Sequence, residues 1–201
     1  VPKIVFMGAG SAFSPRLFKD IVQLPDIDGG EYCLVDIDEK RLKPMATLSR
    51  KVLRKLRKDK RWKVTATTRR REVLKGADYV INCIEVAGVD NVRFDNDIPL
   101  KYGVKQCIGD TIGPGGVFKA MRTVPAWLDI LADCEKLCRD ALVLNYTNPM
   151  SIMMLAAVRA VDLQMVGLCH SVQGTSKKLA KVVGRDYDKD FRFRCAGINH
   201  M

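Results

Sequence analysis

The stretch Lys3-Ile4-Val5-Phe6-Met7-Gly8-Ala9-Gly10-Ser11 decides the fold, because an apolar run ends there abruptly at two glycines. A continuous run of branched and aromatic residues predicts a strand that is buried on both faces. Gly-x-Gly directly after such a strand is typical of the tight turn that brings backbone N–H groups against a pyrophosphate. The stretch therefore predicts a dinucleotide-binding fold in which Gly8, Gly10 and Ser11 contact the cofactor.

The residues after the glycines predict a helix but depart from the usual fingerprint. Ser14 can cap the free N–H groups of this helix, and Pro15 suits its first position. Phe13 stands where the third glycine of a Gly-x-Gly-x-x-Gly turn is expected, so helix and strand cannot approach there as closely. We count Phe13 among the predicted cofactor-binding residues.

The second predicted strand, Tyr32-Cys33-Leu34-Val35-Asp36, ends in an acid. A carboxylate at this place accepts hydrogen bonds from the adenine ribose hydroxyls and repels a 2′-phosphate. Asp36 therefore favours NAD over NADP. The alternative is that Asp36, together with Asp38, only caps the following helix.

Composition bounds the class of protein. With 201 residues, 47% of them hydrophobic, the chain is long enough for one α/β domain and part of another. The longest apolar runs have the length of strands and no signal peptide is recognisable, so we expect a cytoplasmic protein without a membrane partner. Seven scattered cysteines indicate free thiols or metal ligands rather than a disulfide framework.

The formal net charge of +11 is concentrated in residues 50–71. A helix predicted over residues 41–58 places its apolar residues on one stripe, and the basic residues fill the outer face. A nucleic-acid site would require aromatic residues between the charges for stacking, and Trp62 is the only one in the run. We therefore expect a solvated helix face and no nucleic-acid partner.

Four further apolar runs predict parallel strands with helices between them. These runs cover residues 63–67, 77–83, 141–145 and 164–168. Together with the first two strands they predict a Rossmann-like, doubly wound parallel α/β sheet. Such sheets bind ligands at the carboxyl ends of their strands.

Asn82 and Glu85 lie at the carboxyl end of the fourth predicted strand, where folds of this kind pass the nicotinamide ribose. Both are therefore candidates for cofactor contact.

Residues 91–102 predict a loop or a short helix over the site. The glycine-rich run 109–116 precedes a helical pattern over residues 117–138, which suits an anion or a sugar hydroxyl, although a plain turn is an equal alternative.

The last residues predict the start of a second domain. Phe191-Arg192-Phe193-Arg194-Cys195 alternates as a half-exposed strand does, and no partner strand follows it in the sequence. We expect residues 1–188 to form the dinucleotide-binding domain and residues 189–201 to begin a substrate-binding α+β domain. On this interpretation the sequence is a fragment, inactive alone, whose second half completes the substrate site.

Several motifs together resemble those of one known family. They are Gly8-Ala9-Gly10-Ser11, Val35-Asp36-Ile37-Asp38, Gly109-Asp110-Thr111 with Gly113-Pro114-Gly115-Gly116, Arg122-Thr123-Val124-Pro125, Asn145-Tyr146-Thr147-Asn148-Pro149-Met150, Gly167-Leu168-Cys169-His170-Ser171-Val172-Gln173-Gly174-Thr175 and Cys195-Ala196-Gly197-Ile198-Asn199-His200-Met201. The sequence resembles glycoside hydrolase family 4, the NAD- and divalent-metal-dependent glycosidases. The last two motifs are similar to the α-galactosidase branch, whereas 109–111 and 145–150 also resemble the α-galacturonidases and α-glucuronidases.

The resemblance implies an unusual hydrolysis that departs from the two-carboxylate scheme. In this family NAD⁺ takes a hydride from C3 of the sugar, which acidifies the proton on C2. A base removes that proton, the leaving group departs from C1, water adds, and the ketone is reduced again. A divalent metal holds the negative charge that develops on the sugar oxygens.

The resemblance also implies a metal site and a substrate site. Cys169 and His200 are the expected ligands of Mn²⁺ or another divalent ion, completed by substrate oxygens. Asn148 and Asn199 are expected to bind the sugar. The catalytic base is expected to be a Tyr beyond residue 201, and the full-length enzyme a homo-oligomer, either a dimer or a tetramer.

His170 is the candidate acid that protonates the leaving group, because phosphoglycosidase members typically carry Asp or Asn at this place. Consecutive side chains of an extended chain point to opposite sides, so Cys169 can face the metal while His170 faces the glycosidic oxygen. Asp110 is the alternative acid. A further alternative is that His170 has no catalytic role and only makes structural hydrogen bonds.

Two other functions compete with the glycosidase. A lactate- or malate-type 2-hydroxy-acid dehydrogenase shares the fold, and Arg93 and Arg122 could bind its carboxylate substrate, but neither stands in that family's motif. A non-catalytic NAD sensor would keep the glycines and Asp36 without needing both Cys169 and His200. The presence of these last two residues favours the glycosidase.

Overall fold

The computed structural model describes residues 1–106 and 113–200, which form one parallel sheet with helices on both faces. The elements are β1 (Lys3–Met7), α1 (Phe13–Ile21), β2 (Gly30–Val35), α2 (Glu39–Lys55), β3 (Trp62–Thr67), α3 (Arg71–Leu74), β4 (Tyr79–Asn82), a 3-10 turn (Val89–Asn91), α4 (Val92–Lys101), α5 (Pro114–Leu137), β5 (Leu142–Asn145), α6 (Met150–Ala160), β6 (Met165–Gly167) and α7 (Ser171–Val182). The six strands lie in the order β3-β2-β1-β4-β5-β6. This order confirms the predicted Rossmann-like sheet, in which the connections reverse between β1 and β4.

The register places the carboxyl ends of the strands level with one another. Met7 at the end of β1 pairs with Val35 on one side and with Asn82 on the other. Asn82 pairs in turn with Asn145, and Asn145 with Gly167. The residues that follow these strands therefore lie along one edge of the sheet, which becomes the candidate site.

Alternate residues of the strands build two hydrophobic cores, one on each face of the sheet. Ile4 and Phe6 of β1 pack with α1 and α2, whereas Val5 and Met7 pack with α5 and α6. Trp127 of α5 is fully buried in the second core and donates a hydrogen bond from its ring nitrogen to the carbonyl of Met153, at 3.2 Å. A strand covered on both faces explains why the first apolar run shows no polar alternation.

The start of α1 differs from the sequence-based prediction. The helix begins at Phe13, after Ala12, and no side chain caps it. Ser14 instead lies inside the first turn and donates its hydroxyl to the carbonyl of Ala9, at 2.9 Å. Ser14 as the capping residue and Pro15 at the first helical position were therefore wrong, because the turn closes two residues earlier than the proline pattern indicates.

Residues 91–102, which were predicted to form a loop or a short helix, form mostly helix, α4. Two other regions differ from what the pattern predicts. The helix α5 begins at Pro114 rather than at residue 117. Residues 191–195 form no strand. Phe191 and Phe193 instead stack on Tyr187, with ring centres 6.1 and 6.3 Å away, so their alternation reflects an aromatic cluster without a neighbouring strand to pair with.

Two predictions lie on residues whose structure is not described. Asp110, the alternative acid, falls within 107–112, as does the first half of the glycine-rich run 109–116. Across the described part of the chain, no helix combines the length and the apolar character that crossing a membrane requires.

Candidate functional site

The glycine turn after β1 is held by the backbone of β2. The amides of Gly8 and Ala9 both donate to the carbonyl of Val35, each at 2.9 Å. Gly8 has a φ of 78°, and a Cβ added to it would lie 2.3 Å from the carbonyl oxygen of Cys83. Only glycine fits such a close approach in a left-handed conformation. The hydroxyl of Ser11 accepts from the amide of Phe13 at 3.2 Å, which keeps the following backbone in a tight turn.

Asp36 joins the glycine turn to the end of β2. Its Oδ2 accepts a hydrogen bond from the amide of Gly10 at 2.7 Å, and its Oδ1 accepts from the amide of Asp38 at 2.9 Å. The helix α2 is capped by Asp38, which accepts from the amides of Lys40 and Arg41. Capping therefore belongs to Asp38, and Asp36 presents a half-buried carboxylate beside the turn.

A cleft with a volume of about 700 Å³ opens at the carboxyl ends of β1, β2 and β4. It is lined by the glycine turn, by the strand ends and by one side of α5, including Gly8, Asp36, Thr68, Arg69, Glu85 and Ile130. This volume lies in the range of pockets for drug-sized ligands and cofactors. Of the predicted cofactor residues, the cleft thus brings together Gly8, Asp36 and Glu85.

Asn82 lies beneath the cleft floor rather than on its surface. It is fully buried, and its amide nitrogen donates to Asn145 Oδ1 at 2.8 Å and to Thr147 Oγ1 at 3.1 Å. The Thr147 hydroxyl donates onward to the carbonyl of Ile84 at 3.2 Å. This buried network ties the ends of β4 and β5 together. A direct contact between Asn82 and a cofactor stays a prediction.

Glu85 is paired with a buried cation on α5. Its carboxylate lies 2.9 Å from the ammonium nitrogen of Lys119, whose side chain is only 8% exposed. Burial, helped by the negative charge of Glu85, raises the pKa of the neighbouring Cys83 thiol to about 11. Cys83 is therefore a neutral thiol at physiological pH.

The two arginines that a dehydrogenase could use each contact another side chain. Arg122 makes a bidentate pair with Asp95, with N···O distances of 2.8 and 2.5 Å, and this hydrogen bonding raises the Arg122 pKa against the opposing effect of burial. Arg93 lies over the ring of Phe94, 4.7 Å from its centre. Arg122 is therefore engaged by a carboxylate of the chain, whereas the exposed Arg93 makes a ring contact that does not use its N–H groups.

Cys169 and His200 meet at the far end of the same sheet edge, beyond β6. Cys169 Sγ lies 3.6 Å from His200 Nε2 and 2.6 Å from the hydroxyl oxygen of Ser171. Next to them, the side-chain nitrogen of Asn199 donates to Asn148 Oδ1 at 3.1 Å. The backbone N–H of Asn199 donates to the Ser151 hydroxyl at 3.0 Å. The structure thus brings both predicted pairs of residues together.

The Cys169–His200 pair fits one metal ion. Two ligands that each lie roughly 2.0 to 2.3 Å from an ion are about 3 to 3.7 Å from one another, and the observed separation is 3.6 Å. His200 has a φ of 67°, a left-handed conformation that non-glycine residues adopt mainly at special sites. Within residues 1–106 and 113–200 no third His, Cys, Asp or Glu completes the set, so further ligands would be substrate oxygens or water.

His170 is exposed and precedes the first turn of α7. Its backbone is already helical, with φ −70° and ψ −18°, because β6 ends at Gly167. The argument that an extended chain points Cys169 and His170 to opposite sides was therefore wrong, since alternation requires extended backbone at both residues. The role of His170 as an acid stays a prediction.

Sequence reasoning missed several residues that build the site. Thr147 braces the strand ends, Ser171 contacts the Cys169 sulfur, and Lys119 neutralises Glu85. Thr147 could have been found from its place between Asn145 and Asn148 directly after a strand. Phe13, which was predicted, lies half-buried with its ring centre 5.2 Å from that of Tyr146.

Comparison with known proteins shows which family the chain is similar to. The profile of the family 4 glycosyl hydrolases matches residues 3–185. The chain belongs to this family. It is 41% identical to the α-galactosidase of Bacillus subtilis (strain 168) over 203 residues, which cover 99% of this chain and 46% of that protein. The family 4 chain thus spans less than half the length of this curated relative.

Other relatives of this family 4 chain carry different names. It is 39% identical to the α-glucosidase of Erwinia rhapontici, covering 99% of this chain and 44% of that protein. It is 32% identical to the α-galacturonidase of Thermoanaerobacter italicus, again covering 99% and 44%. The match to the 6-phospho-β-glucosidase of Thermotoga maritima, solved with manganese, NAD⁺ and glucose-6-phosphate, has a TM-score of 0.80 at 26% identity, and covers 95% of this chain and 45% of that one.

Proposed function

We propose that this chain is the cofactor- and metal-binding part of a glycosidase that hydrolyses α-galactosides. One observation carries the proposal: Cys169 and His200 lie 3.6 Å apart at the same sheet edge as the glycine turn and Asp36. A simple dinucleotide sensor does not need this pair. The choice of an α-galactoside is supported by the 41% identity to an α-galactosidase.

The proposed cofactors are NAD⁺ and Mn²⁺ or another divalent ion. When bound, they would supply reversible removal of a hydride from C3 of the sugar and an electrophile for the oxygen charge that develops there. Gly8, Gly10 and Ser11 would approach the pyrophosphate, and Asp36 would exchange its bond with the Gly10 amide for bonds to the ribose hydroxyls. Cys169 would bind the metal as a thiolate and His200 through Nε2.

The remaining site residues have proposed roles at the substrate. Asn148 and Asn199 already bond to one another and would orient sugar hydroxyls beside the metal. His170 would donate the proton that the leaving oxygen needs as its bond to C1 breaks.

An α-galacturonidase is the second candidate function, supported by the 32% identity to such an enzyme. The two substrates differ at C6, where the uronide carries a carboxylate that a basic side chain would bind. The ratio of kcat/KM for 4-nitrophenyl α-galactoside and for the corresponding galacturonide separates these candidates. We expect the galactoside to be preferred. A preference for the galacturonide would show that the protein is an α-galacturonidase instead.

The reaction is tested by hydrolysis in D₂O, with a form of the protein that has the full length of its relatives. Removal and return of the C2 proton should place deuterium at C2 of the released sugar, which NMR detects. Turnover should also stop when NAD⁺ is removed. Hydrolysis without any deuterium at C2 would reject the proposed chemistry.

The role of His170 is tested by comparing leaving groups in the same full-length form. His170→Ala should slow alkyl galactosides at least about tenfold more than 4-nitrophenyl galactoside, because an aryl oxide needs little protonation. His170→Asp should restore part of the rate on alkyl substrates. Equal loss on both classes would remove His170 from the acid role.

We further propose that the full-length protein is a cytoplasmic homo-oligomer that binds neither membranes nor nucleic acid specifically. Size-exclusion chromatography with light scattering should give a dimer or a tetramer. Any binding of DNA to the basic residues 50–71 should weaken steeply with salt. DNA binding that survives physiological salt would contradict this part of the proposal.

A further inference from the structure

Three consecutive arginines, Arg69, Arg70 and Arg71, line the same cleft as Asp36. The register pairs Val35 at the end of β2 with Thr67 at the end of β3, so Asp36 and Thr68 leave adjacent strands side by side. The arginines follow at once. The wall next to the proposed ribose position is therefore strongly basic in sequence.

This wall and Asp36 favour opposite cofactors. Guanidinium groups near the adenine ribose are what binds a 2′-phosphate, because they offer charge-assisted and bidentate hydrogen bonds. Asp36 repels the same phosphate. From the sequence alone, the arginines would argue for NADP as strongly as Asp36 argues for NAD.

The structure shows that carboxylates already occupy these arginines. Arg70 Nε donates to Asp133 Oδ2 at 2.7 Å, and its Nη2 donates to Asp129 Oδ2 at 2.6 Å. Arg71 Nε donates to Asp133 Oδ1 at 2.9 Å. Both acids stand on α5, one helical turn apart, and Asp129 lines the cleft together with the arginines, whereas Asp133 is buried behind it.

Arg69 is occupied as well, by Glu72, at 2.8 Å. Asp133 is buried, with its side chain 6% exposed. Burial alone would raise the pKa of Asp133, but the hydrogen bonds from Arg71 and Arg70 outweigh it and hold the pKa below its ordinary value. Asp133 therefore stays ionised at neutral pH and keeps both guanidinium groups engaged.

Arg70, whose side chain is only 26% exposed, could bind a 2′-phosphate only by displacing the acids. Displacement would leave a carboxylate without its partner in a partly buried place, which costs more than the bond itself contributes. The phosphate would also enter a cleft whose lining includes the carboxylates of Asp129 and Asp36. The carboxylates thus cancel the attraction that the arginines would otherwise provide.

We propose that Asp129 and Asp133 are specificity-determining residues that make the cleft reject 2′-phosphorylated dinucleotides by holding Arg70 and Arg71. The inference rests on the proposed function, in which this cleft binds the adenosine end of NAD⁺. It assigns selectivity to a helix far along the chain from Asp36, through residues that touch the arginines rather than the cofactor.

The test measures the affinities of NADP⁺ and NAD⁺ for the 201-residue chain by calorimetry. Asp129→Asn is made in the Asp36→Ala background, because Asp36 alone would mask any gain. The matched control is Asp162→Asn in the same background. Asp162 pairs with Arg139 at 2.9 Å, and it precedes β6, so it lies towards the opposite edge of the sheet.

Asp36→Ala with Asp129→Asn should bind NADP⁺ about tenfold more tightly than Asp36→Ala alone, because Arg70 gains a free face for the phosphate. The affinity for NAD⁺ should change by less than about threefold, and the control should change neither value beyond about twofold. An equal gain in the control, or no gain with Asp129→Asn, would overturn the inference. If the unaltered chain binds neither dinucleotide, the proposed function fails instead.

Folding of the variants is checked by circular dichroism. The Asp129 side chain is 64% exposed, so asparagine can take its place without a cavity. If that variant does not fold, Asp129→Ser, which also releases Arg70 from this carboxylate, replaces it in the same background. It should raise the affinity for NADP⁺ about tenfold as well, and no increase beyond the Asp162→Asn control would overturn the inference.

Discussion

The two ends of the candidate site are built in different ways. At the nucleotide end, backbone amides of Gly8 and Ala9 bond to the backbone of Val35, within a sheet that is buried on both faces. At the metal end, Cys169 and His200 come from half-buried segments outside any strand or helix. Backbone geometry fixes the first end, whereas a few side-chain contacts hold the second.

This difference predicts different sensitivities. A site made of backbone groups tolerates most side-chain changes and fails where a glycine is needed. A site made of side chains in an irregular segment fails when a single ligand is lost, while the fold survives. The predictions below test or sharpen this contrast, beginning with the largest effect.

Gly8→Ala should abolish dinucleotide binding and lower the free energy of unfolding by about 3 kcal/mol. The added Cβ would lie 2.3 Å from the Cys83 carbonyl oxygen, at a φ of 78° that alanine rarely adopts. Gly174→Ala in α7 is the control, because nothing lies within 4 Å of its added Cβ. It should raise stability by up to about 1 kcal/mol. Equal effects of the two substitutions in denaturant titrations would contradict the backbone account.

Cys169→Ser and His200→Ala should each lower the affinity for Mn²⁺ at least about 100-fold and leave the affinity for NAD⁺ unchanged within about twofold. The affinity for Mn²⁺ falls because one of the two protein ligands is lost. The affinity for NAD⁺ is unchanged because other residues, at the opposite end of the site, bind the nucleotide. Cys195→Ser, which removes an exposed thiol, is the control. Metal binding that survives both ligand changes, measured by calorimetry, would place the ion elsewhere.

Asp133→Asn should lower the free energy of unfolding at pH 7 by about 2 kcal/mol, because two charge-assisted hydrogen bonds are lost. The pKa of Asp133 is lower in the folded chain than its ordinary value. The contribution of the Asp133 carboxylate to the free energy of unfolding is therefore complete above about pH 4, and it is lost as the pH falls through the pKa that Asp133 has in the folded chain. Denaturant titrations between pH 7 and pH 2 should show a smaller loss of stability in the variant than in the unaltered chain. Parallel curves would contradict the pKa assignment.

The thiols should react at different rates with iodoacetamide at pH 8. The pKa of about 11 leaves roughly one thousandth of Cys83 as thiolate, so Cys83 should react far more slowly than the exposed Cys195. Saturating Mn²⁺ should slow the alkylation of Cys169 about tenfold and leave the other cysteines unchanged. Mass spectrometry of the labelled peptides measures each rate, and uniform labelling with and without Mn²⁺ would rule out Cys169 as a ligand.

Much of the fold was predictable because its causes are local in sequence. The run from Lys3 to Met7 followed by Gly8, and the acid at the end of β2, define the central strands and the turn between them. The strand order follows from the topology rules for such sheets. The start of α1 was not predictable, because the Ser14 hydroxyl bonds back to Ala9 and leaves the cap position to Ala12.

The site could be predicted only where single residues carry the chemistry. Asp36, Cys169 and His200 could be named from their types and their places after strands. The pairing of Arg70 with Asp129 and Asp133 could not, because it joins residues 59 and 63 positions apart through the packing of α5 on the cleft. The alternation of aromatic and basic residues over 191–195 wrongly predicted a strand, because an aromatic cluster and a strand give the same sequence pattern.

The measurement that tests the central claim most directly is paramagnetic relaxation of NAD⁺ protons by Mn²⁺ bound to this chain. If the metal and the nicotinamide share one end of the sheet edge, Mn²⁺ should broaden the nicotinamide ring protons much more than the adenine protons. The difference should disappear in Cys169→Ser and persist in Cys195→Ser. Equal broadening of both rings, or broadening that is unchanged in Cys169→Ser, would contradict a single site that joins cofactor and metal.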